Sequence, residues 1–141
     1  MPVNRSLIFK KLDFLESQIS GIERMDFDKN SFVKEADIHD LVTFRLQQAV
    51  EVAIDIATHV IAESDLPRVE TAKDALLLLG EQDIINKDLS QKMAKAADFR
   101  NRVVHGYNDF DYALLFRDYK DNIRDLKNFA KQIVGFLEKN P

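Results

Sequence analysis

Apolar side chains recur along this chain at intervals of three and four residues and rarely at two. Leu7, Ile8, Leu12, Leu15, Ile19 and Ile22, with Lys11 among them, keep helical spacing. The pattern predicts a helix from about Ser6 to Met25, with Asn4 or Ser6 able to cap its first amides. Asp26 to Asn30 reads as a polar turn, and a short turn over Ser31 to Ala36 precedes the longest element, from near Asp37 to Glu63 or Ser64. There Leu41, Val42, Phe44, Leu46, Val50 and Ile54 already point almost all round the axis, as in a helix covered on several sides. Its polar positions, Gln48, Glu51, Asp55 and His59, form one narrow stripe. Pro67 should end this element, because proline lacks an amide hydrogen and disfavours helix in the residue before it. A shorter helix follows over Glu70 to Leu79, stopped by Gly80. The next runs from Asn86 or Asp88 to about His105, with Gly106 as its end point. The last spans Asp111 to Glu138, with Leu114, Leu115, Tyr119, Ile123, Leu126, Phe129, Ile133, Phe136 and Leu137 inward. Short connections predict an all-α, antiparallel bundle of about five helices.

Composition agrees with one helical unit. The chain has 141 residues with 45% hydrophobic and 31% charged content, an ordinary folded composition and the size of one core. No repeat or composition break divides it, so residues 1–141 are expected to form a single domain. Four Gly and three Pro leave too little turn chemistry for a many-stranded sheet. The formal charge of −4 means that no global positive field gathers nucleic acid or anionic membrane, so any such contact must be local. With no cysteine there is no thiol nucleophile, disulfide framework or cysteine zinc site. The charged N-terminus is not expected to act as a signal peptide, and no apolar run approaches a membrane span. A cytoplasmic location and no membrane partner are expected.

The chemistry concentrates between Leu89 and Tyr107. At about 100° per residue, Leu89, Met93, Ala96, Val103 and Val104 share an arc, while Gln91, Lys95, Asp98 and Arg102 lie opposite. Arg100 falls near the centre of the apolar arc, where an unpaired guanidinium would cost several kcal/mol. It must either meet a carboxylate of the long helix, Glu51 or Asp55, or face a polar cleft. His105 projects about 140° from Arg100 on an uninterrupted helix. Either Gly106 lets the helix bend and swings the imidazole inward, or two copies of the chain bring one Arg and one His together.

The run Arg100-Asn101-Arg102-Val103-Val104-His105-Gly106-Tyr107 resembles the Arg-x4-His-x-Tyr motif of HEPN-domain toxins of the HepT type. The stretch from Arg45 to Glu51 and on to His59 is similar to the second-helix pattern of that family, and the likeness covers nearly the whole chain. The resemblance implies a homodimeric, metal-independent ribonuclease without a cofactor, whose two motif helices line a cleft. It assigns His105 to proton transfer at the ribose 2′-hydroxyl or the leaving 5′-oxygen, work suited to an imidazole of pKa near ~6.5. Arg100 would hold the scissile phosphate, with a planar fork matched to its oxygens. The RNA, transfer or messenger, is not specified. The resemblance also implies a small nucleotidyltransferase antitoxin as partner, which in some members attaches AMP to the motif tyrosine, here Tyr107.

Plainer readings stand beside these. Arg100 can be a structural ion pair, His105 a helix-end residue favoured by the dipole, and Tyr107 an amphipathic side chain reaching water. Asn101 and Arg102 flank the motif; Arg102 can touch RNA phosphate or pair with Asp98 at i, i+4. Asp55 and His59 offer two metal ligands where catalytic zinc generally needs three, and His39 is isolated in sequence, so no metal site is expected. Phe110, Tyr112, Phe116 and Tyr119 fit core or dimer packing better than base stacking. The rival function is a non-catalytic helical module that binds substrate for, or scaffolds, the nucleotidyltransferase.

Overall fold

The computed structural model describes residues 4–104 and 110–140. Among them are six helices and no strand: α1 (Arg5–Glu23), α2 (Lys29–Lys34), α3 (Ala36–Glu63), α4 (Ala72–Glu81), α5 (Lys87–Val104) and α6 (Tyr112–Lys139). None is long and apolar enough to cross a membrane. The all-helical expectation holds, with one element more than the sequence suggested. The segment read as a turn after Asn30 is the helix α2, made by a capping box. Asp28 accepts from the Ser31 amide at 2.8 Å, and the Ser31 hydroxyl accepts from the Asp28 amide at 3.1 Å. Phe32 at its centre is fully buried. The amide bond from Ser31 also holds the Asp28 carboxyl below its usual pKa.

Helix α3 packs against all five other helices, as its apolar circumference requires. Residue pairs fix the directions. Lys11 pairs with Asp55 while Gly21 lies beneath Arg45, so α1 and α3 run antiparallel. Lys73 reaches Asp98 and Ser90 reaches Leu76, which sets α4 against α5. Asn86 binds Gln132 and Phe99 meets Phe110, which sets α5 against α6. The shared core includes Leu15, Leu46, Ile56, Leu76, Met93 and Phe129.

Helix α3 ends at Glu63, where the sequence predicts, while α4 runs past its expected stop to Glu81. Helix α3 stops before Pro67: Asp65 has a left-handed φ of 56°, and the Leu66 amide returns to Ile61 O at 3.2 Å. This six-to-one closure is a Schellman end. Gly80 does not stop α4 but lies inside it. The same closure follows at Asp83 (φ 56°), with the Ile84 amide on Leu79 O at 2.9 Å. Gly80 serves instead to let α5 approach, because a Cβ there would stand 2.4 Å from Ser90 Cβ. Asn4, rather than Ser6, caps α1, accepting from the Leu7 amide at 3.1 Å.

Candidate active site

Helix α5 buries Leu89, Ser90, Met93, Ala94, Ala97 and Phe99 and exposes Gln91, Lys95, Asp98 and Arg102. Arg100 lies on the buried arc, its side chain only 23% exposed. The carboxylate that meets it is Glu51 of α3, with Arg100 Nη1 3.1 Å from Glu51 Oε1. Asp55, the other candidate, is held by Lys11 of α1 and lies 3.8 Å from His59 Nε2. The pairing leaves Arg100 partly unsatisfied, since its buried Nε has no hydrogen-bond partner. A guanidinium has five donors, so this one retains capacity for a phosphate or carboxylate beyond Glu51.

Glu51 and Asp55 lie on the outward stripe of α3, and with Gln48 and Phe14 of α1 they line a shallow hollow of 330 Å³. This stripe is less polar than its carboxylates suggest. Leu41 (39% exposed), Phe44 (52%) and Phe14 (44%) are among the most exposed large apolar side chains of the described residues. Leu41 and Phe44 occupy the same helical row as Gln48, Glu51 and Asp55.

Asn101 and Arg102 are exposed. The proposed Arg102–Asp98 pair does not form, because Asp98 turns to Lys73 of α4 at 3.3 Å. Arg102 lines a second, larger groove between α5 and α6. His105 and Tyr107 lie outside the described residues. His39 cannot complete a metal site with Asp55 and His59: it stands twenty residues before His59 on the same helix, about 30 Å along the axis. It binds Phe32 O at 2.8 Å through Nδ1 and stacks on Tyr112, ring centroids 3.7 Å apart. Among the described residues no three His, Cys, Asp or Glu side chains are grouped for a metal.

The four aromatics divide. Phe116 and Tyr119 pack with Phe27 and Phe32, where burial raises the Tyr119 hydroxyl pKa. Phe110 and Tyr112 instead fasten the chain entering α6 to Phe99 and His39. Burial, followed by the charge and hydrogen bond of Asp40, raises the Tyr112 hydroxyl as well. Sequence reasoning passed over the α5–α6 groove. Its signal was Asn122, a carboxamide about 40° from Leu126 on the apolar side of α6.

Comparison with known proteins agrees with this architecture. Residues 15–133 match the family described as ribonuclease HepT-like. The mRNA nuclease HepT of Shewanella oneidensis is 25% identical over 127 residues, covering 90% of this chain and 96% of that protein. The tRNA nuclease HepT of Aphanizomenon flos-aquae is 30% identical over 98 residues, 69% of this chain and 67% of that one. A solved structure of a tri-AMPylated Shewanella oneidensis HEPN toxin in complex with MNT antitoxin superposes with a TM-score of 0.85. It is 25% identical and covers 91% of this chain and 96% of that chain. The cytosolic protein YutE from Bacillus subtilis shares the fold, with a TM-score of 0.85 at 21% identity, over 99% of this chain and 94% of YutE.

Proposed function

The chain belongs to the ribonuclease HepT-like family, and on that premise we propose that it is the toxin of a toxin–antitoxin pair. In this reading two copies cut RNA at a shared cleft through Arg100 and His105. The observation that carries the reading is the half-buried guanidinium of Arg100, placed where packing favours an aliphatic side chain and only partly satisfied by Glu51. The relatives named as mRNA and tRNA nucleases support RNA as the substrate.

The reaction needs only these side chains. The 2′-hydroxyl attacks phosphorus as a nitrogen of His105 takes its proton. A phosphorus–oxygen bond forms to the 2′-oxygen while the bond to the 5′-oxygen breaks. The leaving 5′-oxygen takes its proton from the imidazolium of a His105, and a 2′,3′-cyclic phosphate remains. Arg100 stabilises the charge gathering on the non-bridging oxygens, a task for preorganised donors in a partly dry site.

A second copy fits the outward stripe of α3, where Leu41, Phe44 and Phe14 stand exposed beside Glu51. If the helix runs on unbent to His105, about 140° from Arg100, pairing of two copies is what brings an Arg100 and a His105 together. The partner in this reading is a nucleotidyltransferase antitoxin, and the Shewanella toxin is in complex with an MNT antitoxin. Adenylylation of Tyr107 would bring phosphate charge beside Arg100 and block the cleft.

Expression of the chain alone tests this. Growth should arrest, and His105→Ala should relieve the arrest while the protein stays folded and dimeric. Equal toxicity of the two, or none in either, overturns the nuclease and leaves the scaffold reading, for which the Arg100–Glu51 pair would be structural. Mass spectrometry of chain co-produced with its partner should find AMP on Tyr107; an unmodified Tyr107 in a neutralised complex overturns that part alone.

A further inference from the structure

The groove between α5 and α6 has a volume of 820 Å³, within the range of sites that hold small ligands. Its floor is apolar, with Leu46, Val50, Phe99 and Leu126. Its charged groups separate into those already committed and those that are not. Of the carboxylates on its rim, Asp111 caps α6 by accepting from the Leu114 amide at 3.0 Å. Asp118 takes both arms of Arg117, and Asp121 pairs with Arg124. Of the cations, Lys92 pairs with Asp88 at 3.1 Å.

Four polar groups remain uncommitted. Asp125 and Asn122, half-buried on α6, make no hydrogen bond among the described residues; Lys95 and Arg102 of α5 make no ion pair there. Asp125 faces an environment that resists its charge, and burial pushes its carboxyl above the usual range despite Lys92 and Arg124 nearby. A carboxylate kept partly dry without a donor, on a wall facing spare cations across an apolar floor, suits one class of ligand. That ligand has a flat apolar body, adjacent N–H donors at one end and an anionic group at the other.

We propose that the α5–α6 groove is a guanine-nucleotide subsite for the RNA, with Asp125 receiving the base and Lys95 and Arg102 its phosphates. Guanine presents two neighbouring donors, N1–H and the exocyclic amine, which fit the two oxygens of one carboxylate. Adenine and cytosine each offer a donor beside a ring-nitrogen acceptor, and uracil a donor between two carbonyl acceptors; each would leave an acceptor facing the carboxylate. Lys95 and Arg102 are seven residues apart on α5, about 10 Å along the axis, so they can follow a backbone leading toward the end of the helix that carries Arg100. The subsite therefore holds a nucleotide flanking the cut rather than the reacting one. As a statement about RNA this rests on the proposed nuclease function; as a statement about binding it does not.

The experiment titrates the full chain with GMP, AMP, CMP and UMP by calorimetry or amide chemical shifts, beside Asp125→Asn and Arg102→Ala. The expected result is GMP bound at least about tenfold more tightly than the others, a difference of about 1.4 kcal/mol. Asp125→Asn should lose the preference, while Arg102→Ala should weaken all four without changing their order. Amide shifts should cluster on α5 and α6. Equal affinities, shifts elsewhere, or a preference intact in Asp125→Asn overturn the proposal. So does a groove that takes no nucleotide but is shielded from hydrogen exchange by the antitoxin, which makes it a protein interface. RNA cleavage without guanine selectivity sinks the subsite and spares the nuclease; GMP selectivity without RNA cleavage does the reverse.

Discussion

Arg100 Nη1 lies 3.1 Å from Glu51 Oε1, joining the buried arc of α5 to the outward stripe of α3. Such a pair contributes little net stability, because each charge gives up water to make it and Glu51 remains 41% exposed. Arg100→Leu should therefore leave the melting temperature unchanged or raised: the new side chain suits its arc, and Glu51 can return to solvent. RNA cleavage should fall by about 100-fold or more, the loss typical of removing a transition-state donor. Thermal unfolding and a cleavage assay on the same preparation check both halves. A large loss of stability with cleavage retained would make Arg100 a structural residue.

Gly80 and Ser90 set the spacing of α4 and α5. The Ser90 hydroxyl donates to Leu76 O at 2.8 Å, and a Cβ on Gly80 would stand 2.4 Å from Ser90 Cβ. That atom is fixed to the backbone and cannot swing aside. Gly80→Ala should destabilise the protein by about 1–3 kcal/mol, the usual range for overpacking. Adding Ser90→Gly should recover part of the loss, although it removes the hydroxyl bond. Denaturant unfolding of the two variants measures this.

Helix positions were legible because the apolar period is strong; what stayed hidden depends on geometry between elements. The placement of Arg100 on a buried arc follows from rotation per residue alone. Its choice of Glu51 over Asp55 does not, because that depends on Lys11 arriving from α1. Gly80 looked like a stop signal since glycine ends helices often, yet here the constraint comes from Ser90, on another helix. Helix α2 has only six residues, too few to show a period, and its signature was the Asp28–Ser31 capping box. Arg102 and Asp98 have the right spacing to pair, but Lys73 of α4 takes the carboxylate. Asn122 was readable by the reasoning that found Arg100, a polar group on an apolar arc.

The exposed stripe of α3 leads to a prediction about assembly. Phe44 is 52% exposed, and a glutamate there costs the isolated fold little. Within an interface it would bury a charge without a partner. Phe44→Glu should convert a dimer to monomer by sedimentation or light scattering, with unchanged helical circular dichroism. Cleavage should fall with the dimer if Arg100 and His105 meet across it. A dimer intact in Phe44→Glu would place the shared face elsewhere.

Asp125 ties acid stability to the α5–α6 groove. Burial raises its carboxyl pKa in the folded protein, helped by Asp121 and Asp88 and opposed by Lys92 and Arg124, whereas the unfolded value is about 3.9. The native state then holds this proton more tightly than the unfolded chain. Its ionisation costs stability progressively as pH rises from about 3.9 through the raised value, and the cost is constant above that. Asp125→Asn removes the penalty. The variant should melt higher than the parent at neutral pH, and the gain should vanish on acidification below the unfolded pKa. Asp118 and Asp28 act in the opposite sense: hydrogen bonds from Arg117 and from Ser31 lower their pKa values. Their stabilisation is present above the unfolded pKa and disappears as pH falls through the lowered folded values. The difference between variant and parent melting curves, taken from about pH 3 to 8, cancels these shared contributions and isolates Asp125. A carboxylate whose removal stabilises the fold but erases guanine preference is held for the ligand. If Asp125→Asn instead lowers the melting temperature at neutral pH, the side chain is serving the fold, and the subsite loses its central acceptor.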